Sequence, residues 1–311
     1  MNAQDAITLA ALSSLVRYSN DKFPRQAQKL YAGAADGYGY GSTNEAAYQV
    51  IRQPLLETTL PLVENPGEPH PLLSFPDPKP LTITARTYRG AVQNLWEIEV
   101  DDKWGYFKRQ LKAFGTSLAR TEELAAMEIF NRALDPSFTS GWDNLPLGHD
   151  AHLLAGGGTY SNVLPAQPPS EALKETILEY FNNVPSEYGW PQPVDRITII
   201  TGEGYAYRWK QLLGSDVAFT HPFSAADPNQ NPAIPQLAGD ENSRFRIISA
   251  VHLEDPTIQI ILGSGHELLF KRRWQYNETT KTSNPRGYLT TAGTRLMTGW
   301  GDARLALVVK N

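Results

Sequence analysis

The chain reads as an α+β protein organised around one long helix, and three observations point there. Apolar residues recur at helical spacing from Asp101 to Leu134, about three times the usual helix length. The stretch before it is dense in proline and then alternates apolar and polar with period 2. Beyond Ser170, capped helical segments alternate with short β-branched runs.

Residues 1–51 read as an arm. A short amphipathic helix is expected from Asp5 to Tyr18 and a second piece around Pro24 to Tyr31. A glycine- and tyrosine-rich break, GAADGYGYGST, follows, and then a third helical stretch from Asn44 to Ile51. From Pro54 to Pro80 the chain holds eight prolines among apolar residues that include Leu72, Leu73 and Phe75, so it must be extended and irregular, and its apolar side chains need a covering surface. LTITARTYRG and AVQNLWEIEV then alternate as strands, with Arg89-Gly90 as the expected turn of a long hairpin-like extension. An isolated hairpin is marginal in water, so this one is expected to lie on another molecule, the other reading being that it folds back on its own core.

The long helix places Trp104, Phe107, Leu111, Phe114 and Leu118 on one face, and the stripe then widens through Leu124, Met127, Ile129 and Phe130, so the second half should be buried on several sides. Asp101 or Asp102 is the expected cap and Asp135-Pro136 the stop, giving a rod of roughly 50 Å. Its charges oppose its own dipole. Lys103, Lys108, Arg109 and Lys112 sit near the N-terminal end and Glu122, Glu123 and Glu128 toward the C-terminal end, the reverse of what the macrodipole favours by about 0.3 to 1 kcal/mol per charge. Two readings follow: local pairs such as Glu128 with Arg132 at i,i+4 on a solvated face, or charges met by neighbouring subunits.

After the turn-rich segment that follows the helix, Ser170 caps SEALKETILEYFNNV. DRITIIT is a buried strand, EGYAYRWKQLLG a helix closed by Gly214, FSAADPNQNPAIPQLAGDENS a surface loop, and FRIISAVHL, TIQIILG, HELLFKRRWQY and RLALVVKN are strands. At 311 residues one large domain or two joined subdomains are expected. The net charge of -5 argues against a phosphate-neutralising surface, and the absence of cysteine excludes disulfides and thiolate chemistry and fits a reducing cytoplasm. No run of about 18 apolar residues occurs, and the N-terminus lacks the basic start and apolar centre of a signal peptide, so neither secretion by that route nor membrane spanning is expected.

Catalytic patterns are incomplete. His149-Asp150-Ala151-His152 could offer two imidazoles and a carboxylate to zinc or iron, the basis of a metal-dependent hydrolase reading, but no third ligand and base accompany them. Thr201-Gly202-Glu203-Gly204-Tyr205 lacks the third glycine of a dinucleotide fingerprint and reads as a strand-to-helix turn, with Glu203 opposing a phosphate. Gly156 to Gly158 is not followed by Lys-Ser or Lys-Thr, and Gly-Xaa-Ser-Xaa-Gly is absent. Lys79 between prolines raises an isopeptide cross-link, but nothing specifies its partners. No catalytic residue, cofactor or metal is assigned.

The order of elements, with DNLPLGHDAHLLAGGGTYSNV (Asp143 to Val163) and DRITIITGEGYAYRWKQLLGSD, resembles the HK97-fold major capsid proteins of tailed bacteriophages over most of the chain after residue 50. The resemblance implies an N-terminal arm (1–51), an extended loop (52–100), a spine helix with peripheral domain (101–169), an axial domain (170–270) and return strands of the peripheral domain (271–311). It implies self-assembly into pentamers and hexamers of an icosahedral shell around double-stranded DNA held by confinement, a location in the virion capsid, and assembly in the bacterial host's cytoplasm. Portal and decoration proteins, and a separate scaffolding protein or none, are the further partners implied. Under it Leu72, Leu73, Phe75, Lys108, Arg109, Lys112, Glu122 and Glu123 are the inter-subunit contact residues. An encapsulin-type compartment shares the fold and is the nearest alternative.

Overall fold

The computed structural model describes residues 3–22, 27–31, 38–40, 47–51, 80–95, 105–154, 158–185, 191–214, 244–283 and 286–310. The loop 52–79 with Leu72, Leu73 and Phe75, residues Asp101 to Trp104, and the expected surface loop from Phe223 to Ser243 lie outside the described residues. The described residues form two compact units, one within Met1–Ile51, Pro80–Ile129 and Leu268–Gly301, the other within Phe130–Glu267 and Asp302–Asn311. The segment 271–311 is therefore divided between them after Gly301.

In chain order the elements are α1 (Ala3–Lys22), α2 (Ala27–Leu30), β1 (Tyr38–Tyr40), β2 (Ala47–Ile51), β3 (Pro80–Thr84), β4 (Arg86–Leu95) and α3 (Tyr106–Asn131). Short strands β5 (His152–Leu153), β6 (Thr159–Tyr160) and β7 (Val163–Leu164) precede α4 (Glu171–Asn182), β8 (Val184–Pro185), β9 (Pro191–Gln192), β10 (Ile197–Thr201) and α5 (Glu203–Gly214). The chain ends with β11 (Phe245–Ser249), β12 (Gln259–Gly263), β13 (Leu268–Ser283), β14 (Arg286–Trp300) and β15 (Ala306–Val309).

The first unit is a four-stranded sheet in the order β1-β13-β14-β4. Side chains alternate across it, so Phe270, Arg272, Thr294 and Leu296 share one face while Leu269 and Met297 share the other, where Ile83 and Ala85 cover them. A bulge between Arg272 and Trp274 inserts one residue, which keeps Gln275, Asn277 and Thr279 on the face of Arg272. Helices α1 and α3 lie on that face: Leu12, Val16, Phe107 and Leu111 form a buried cluster joined by Tyr288 of β14, and Asn277 Nδ2 donates to the Ser13 carbonyl at 2.5 Å. Gly115 sets the crossing, because a Cβ there would stand 2.3 Å from the Val16 carbonyl oxygen.

Several expected boundaries are corrected here. The long helix begins at Tyr106, because Gly105 has φ +66 and breaks the α conformation, which puts the cap position at Gly105; Asp101 and Asp102, the expected caps, lie outside the described residues. It ends at Asn131, giving 26 residues and about 39 Å rather than 50. The described part of the expected helix Asn44 to Ile51, residues 47–51, is a strand instead: Tyr, Val and Ile favour β2, which pairs antiparallel with β3. Arg89-Gly90 is not a turn. It lies inside β4, which pairs with β14, so the chain runs straight through the expected turn; Gly90 is small because the Phe114 ring of α3 lies against it, 3.1 Å from where a Cβ would be. The N-terminal helix runs longer than expected, from Ala3 to Lys22, and β14 is a strand that the reading by alternation missed.

The second unit is a five-stranded sheet in the order β11-β10-β12-β15-β7. Its inner strands are buried on both faces, which is why ITIIT and QIILG read as continuous apolar runs. Ile197, Ile199, Ile261, Leu307 and Val309 meet Leu173, Ile177 and Phe181 of α4 and Trp209 of α5 in one core. Ser170 caps α4 as expected, its hydroxyl accepting from Leu173 N at 3.2 Å. Trp209 is anchored by its Nε1 donating to Gln259 Oε1 at 2.7 Å, and Gln259 in turn donates to the Gln167 carbonyl.

Candidate functional site

Helix α3 separates its charges by environment. From Lys108 to Arg120 its bases Lys108, Arg109, Lys112 and Arg120 are exposed, whereas Glu122 and Glu123 just beyond are buried, at 4% and 1% exposure. A buried carboxylate needs a cation and hydrogen bonds to offset its desolvation. Glu122 has both: Arg272 of β13 stands 3.2 Å away and Thr294 Oγ1 of β14 donates to it at 3.0 Å. Glu128 is met by Arg86 of β4 at 2.7 Å, and Arg132 by Asp135 at 2.9 Å, so both residues have partners from outside the helix, one from a strand and one from the turn beyond its end. The Glu128 hydrogen bond raises the Arg86 guanidinium above its ordinary range. Tyr31, buried beside the same acids, donates to the Ala126 carbonyl at 2.7 Å, and burial followed by the charges of Glu128 and Glu123 raises its phenol well above the ordinary value. The acids that opposed the dipole are thus held by their own chain. A polar cavity of about 140 Å³ lies between α1, α3 and β13, lined in part by Arg17, Asn20, Asp21, Gln275 and Asn277, with space for a few waters.

In the second unit the segment Asp143 to Val163 is tied together by Asn162, which is fully buried. Its Oδ1 accepts from His149 N at 2.8 Å, and the two hydrogens of its Nδ2 are shared among the carbonyls of Leu147 at 2.7 Å, Ala303 at 3.1 Å and Ala306 at 2.9 Å. Gly148 lies so close to Leu134 and Val308 that a Cβ would come within 2.9 Å of each. Below it Arg304, 1% exposed, pairs with Asp302 and donates from Nη1 to the Pro185 carbonyl at 3.2 Å, while Asp302 N donates to Glu267 at 2.6 Å. Burial, then the Asp302 charge, raises the phenols of Tyr160 and Tyr180.

The histidine motif is part of this scaffold. His152 Nδ1 stands 2.6 Å from Asp143 Oδ2 and its Nε2 3.3 Å from the Leu147 carbonyl, so neither ring nitrogen turns a lone pair toward a metal. Its ring stacks on Tyr160 with centroids 5.2 Å apart. Burial pushes the Asp143 carboxyl up, but the hydrogen bond and charge of His152 outweigh that and hold it below the ordinary carboxylate range. His149 Nδ1 accepts from Ala151 N at 3.1 Å. Among the described residues no group of three or more His, Asp or Glu could hold a metal. Gly202 packs where a Cβ would meet the Pro256 carbonyl oxygen at 2.4 Å, so the Thr201 to Tyr205 turn is a packing joint between β10 and α5.

Sequence reading singled out the segment of Asn162 but not the residue, and it missed Arg272, Thr294, Asp302 and Arg304. The available signal was a polar residue closing a turn-rich motif beside an apolar strand run. Among the described residues no helix is long and apolar enough to cross a membrane.

No family model matches the chain and no curated protein matches it. Solved structures do. The capsid of an empty GTA particle aligns at TM-score 0.54 and 11% identity, covering 92% of this chain and 90% of that one. The capsid of a native GTA particle aligns at 0.54 and 10%, covering 92% and 91%. The mature capsid of bacteriophage PhiM1 aligns at 0.49 and 14%, covering 90% and 86%. At these identities the likeness speaks for the fold, and the fold is the α+β HK97-like capsid fold.

Proposed function

We propose that the chain is a major capsid protein that self-associates as pentamers and hexamers of an icosahedral shell enclosing double-stranded DNA. The observation that carries this reading is the alignment along nine-tenths of the chain with two shell subunits of nearly equal length, at TM-score 0.54 for both. The first unit, with α3 as its spine, would be the peripheral domain, the second unit the axial domain, and 52–100 the extended loop. Leu72, Leu73 and Phe75 would lie on a neighbouring subunit. The role is structural and needs no catalysis or cofactor. Assembly would take place in the cytoplasm of a bacterial host, the product would be the virion capsid, and portal, decoration and scaffolding proteins are the partners such a shell would use.

The test is assembly of the chain coexpressed with its neighbouring genes, with and without residues 61 to 79. The deletion should leave a soluble subunit that forms no stable shell, and normal shells from it would contradict the role given to the loop. Duplex DNA inside particles from the natural source supports a capsid. An enclosed enzyme in its place would favour an encapsulin-type compartment.

A further inference from the structure

Resting on the shell reading above, we infer that the exposed face of α3 from Lys108 to Arg120 is a contact for the phosphate backbone of the enclosed double-stranded DNA. Of the eight exposed residues between Tyr106 and Arg120, four are Lys108, Arg109, Lys112 and Arg120, and none is an acid. At 3.6 residues per turn these four fall within an arc of about 120° and span about 18 Å of helix axis, a length over which one strand of a duplex carries about five phosphates. On α1, which crosses α3 at Gly115, the exposed residues Arg17 and Lys22 accompany the exposed Asp21.

The chain's net charge of -5 conceals this face. The fold buries Glu122, against Arg272, and Glu123, pairs Glu128 with Arg86 near the surface, and leaves Lys108, Arg109, Lys112 and Arg120 exposed. A neighbouring subunit is the poorer partner for such a surface. Protein interfaces centre on aromatic and aliphatic anchors and are depleted in lysine. Between Lys108 and Arg120 the exposed uncharged residues are Ala113, Thr116 and Ser117, and the exposed large apolar side chains of the helix, Tyr106 and Leu124, stand beyond the two ends of that stretch. Lys and Arg without an apolar centre are what sequence-independent phosphate binding uses.

The test is binding of the purified full-length chain to a short mixed-sequence duplex, followed by fluorescence anisotropy across a salt series. Four phosphate contacts predict a slope of log K against log[salt] of about -3.6, a weakening of about 150-fold from 50 to 200 mM. K112Q should make the slope about 0.9 shallower, and K108Q/R109Q/K112Q/R120Q should abolish the salt-dependent binding. Thermal melting of K112Q should match the parent, because that side chain is exposed, and a folded quadruple variant is verified by the same melt before its slope is read. Absence of duplex binding by the parent, or an unchanged slope in the quadruple variant, overturns the inference. So does a parent that ignores duplex while the quadruple variant fails to assemble, since the face would then meet an acidic surface of a second copy. Shells from a parent that does not bind duplex would overturn this inference and leave the shell reading standing. Duplex binding traced to these four residues in a chain that never forms shells would support the contact and remove the enclosure.

Discussion

Asn162 in the second unit and Glu122 in the first are both closed off from solvent, at 0% and 4% exposure, and each ties together segments far apart in the chain, yet one is neutral and the other charged. Asn162 joins the turn after α3 to the segment before β15 through backbone groups alone, so any chain with the right path can supply its partners. Glu122 depends on two particular side chains, Arg272 and Thr294, that the sheet register sets side by side. A neutral tie holds at any pH and is local in its chemistry. A charged tie is directional and leaves a buried ion behind when half of it is removed.

The comparison can be broken in several places. Asn162→Ala should have the largest effect, about 4 kcal/mol, because three carbonyls and one N–H lose their shared partner together. Denaturant melts should show it, with near-UV signals of the second unit lost first. Glu122→Ala should cost about 3 kcal/mol by leaving Arg272 without its carboxylate, and Glu122→Ala with Arg272→Met should recover part of that loss.

Asp143 adds the pH dimension to the second unit. Its folded pKa is depressed, so its contribution is fully present above the unfolded carboxylate value of about 3.9 and is lost as pH falls through the lower folded value. Asp143→Asn should therefore cost about 2 kcal/mol at neutral pH and flatten the stability profile below about pH 4, read from urea midpoints across the acid range. Ser170→Ala should cost about 1 kcal/mol through loss of the α4 cap. Arg86→Ala should cost least, about 0.5 kcal/mol and less in high salt, since that side chain is half exposed.

What could be read in the sequence follows the same division. The second-unit helices and strands were legible because α4 carries its cap and its apolar stripe locally, and because ITIIT and QIILG are short apolar runs bounded by turn residues. The first unit was read less well, since its structure rests on pairings across great separations. In β14 glycine and threonine stand where an apolar alternation would have marked a strand, and in β2 the deciding influence is a partner strand that begins only at Pro80, 29 residues after Ile51. The charge pattern of α3 was visible as an anomaly against the dipole, but its resolution required Arg86 and Arg272, which nothing in their local sequence marks. Of the expected contact residues, Glu122 and Glu123 are enclosed by their own chain, while Lys108, Arg109 and Lys112 are exposed.

Sedimentation and negative-stain electron microscopy of the protein, taken from its natural source or coexpressed with its neighbouring genes, address the shell reading most directly. The account predicts closed particles hundreds of ångströms across. A stable, monodisperse monomer near 34.5 kDa under those same conditions would contradict it.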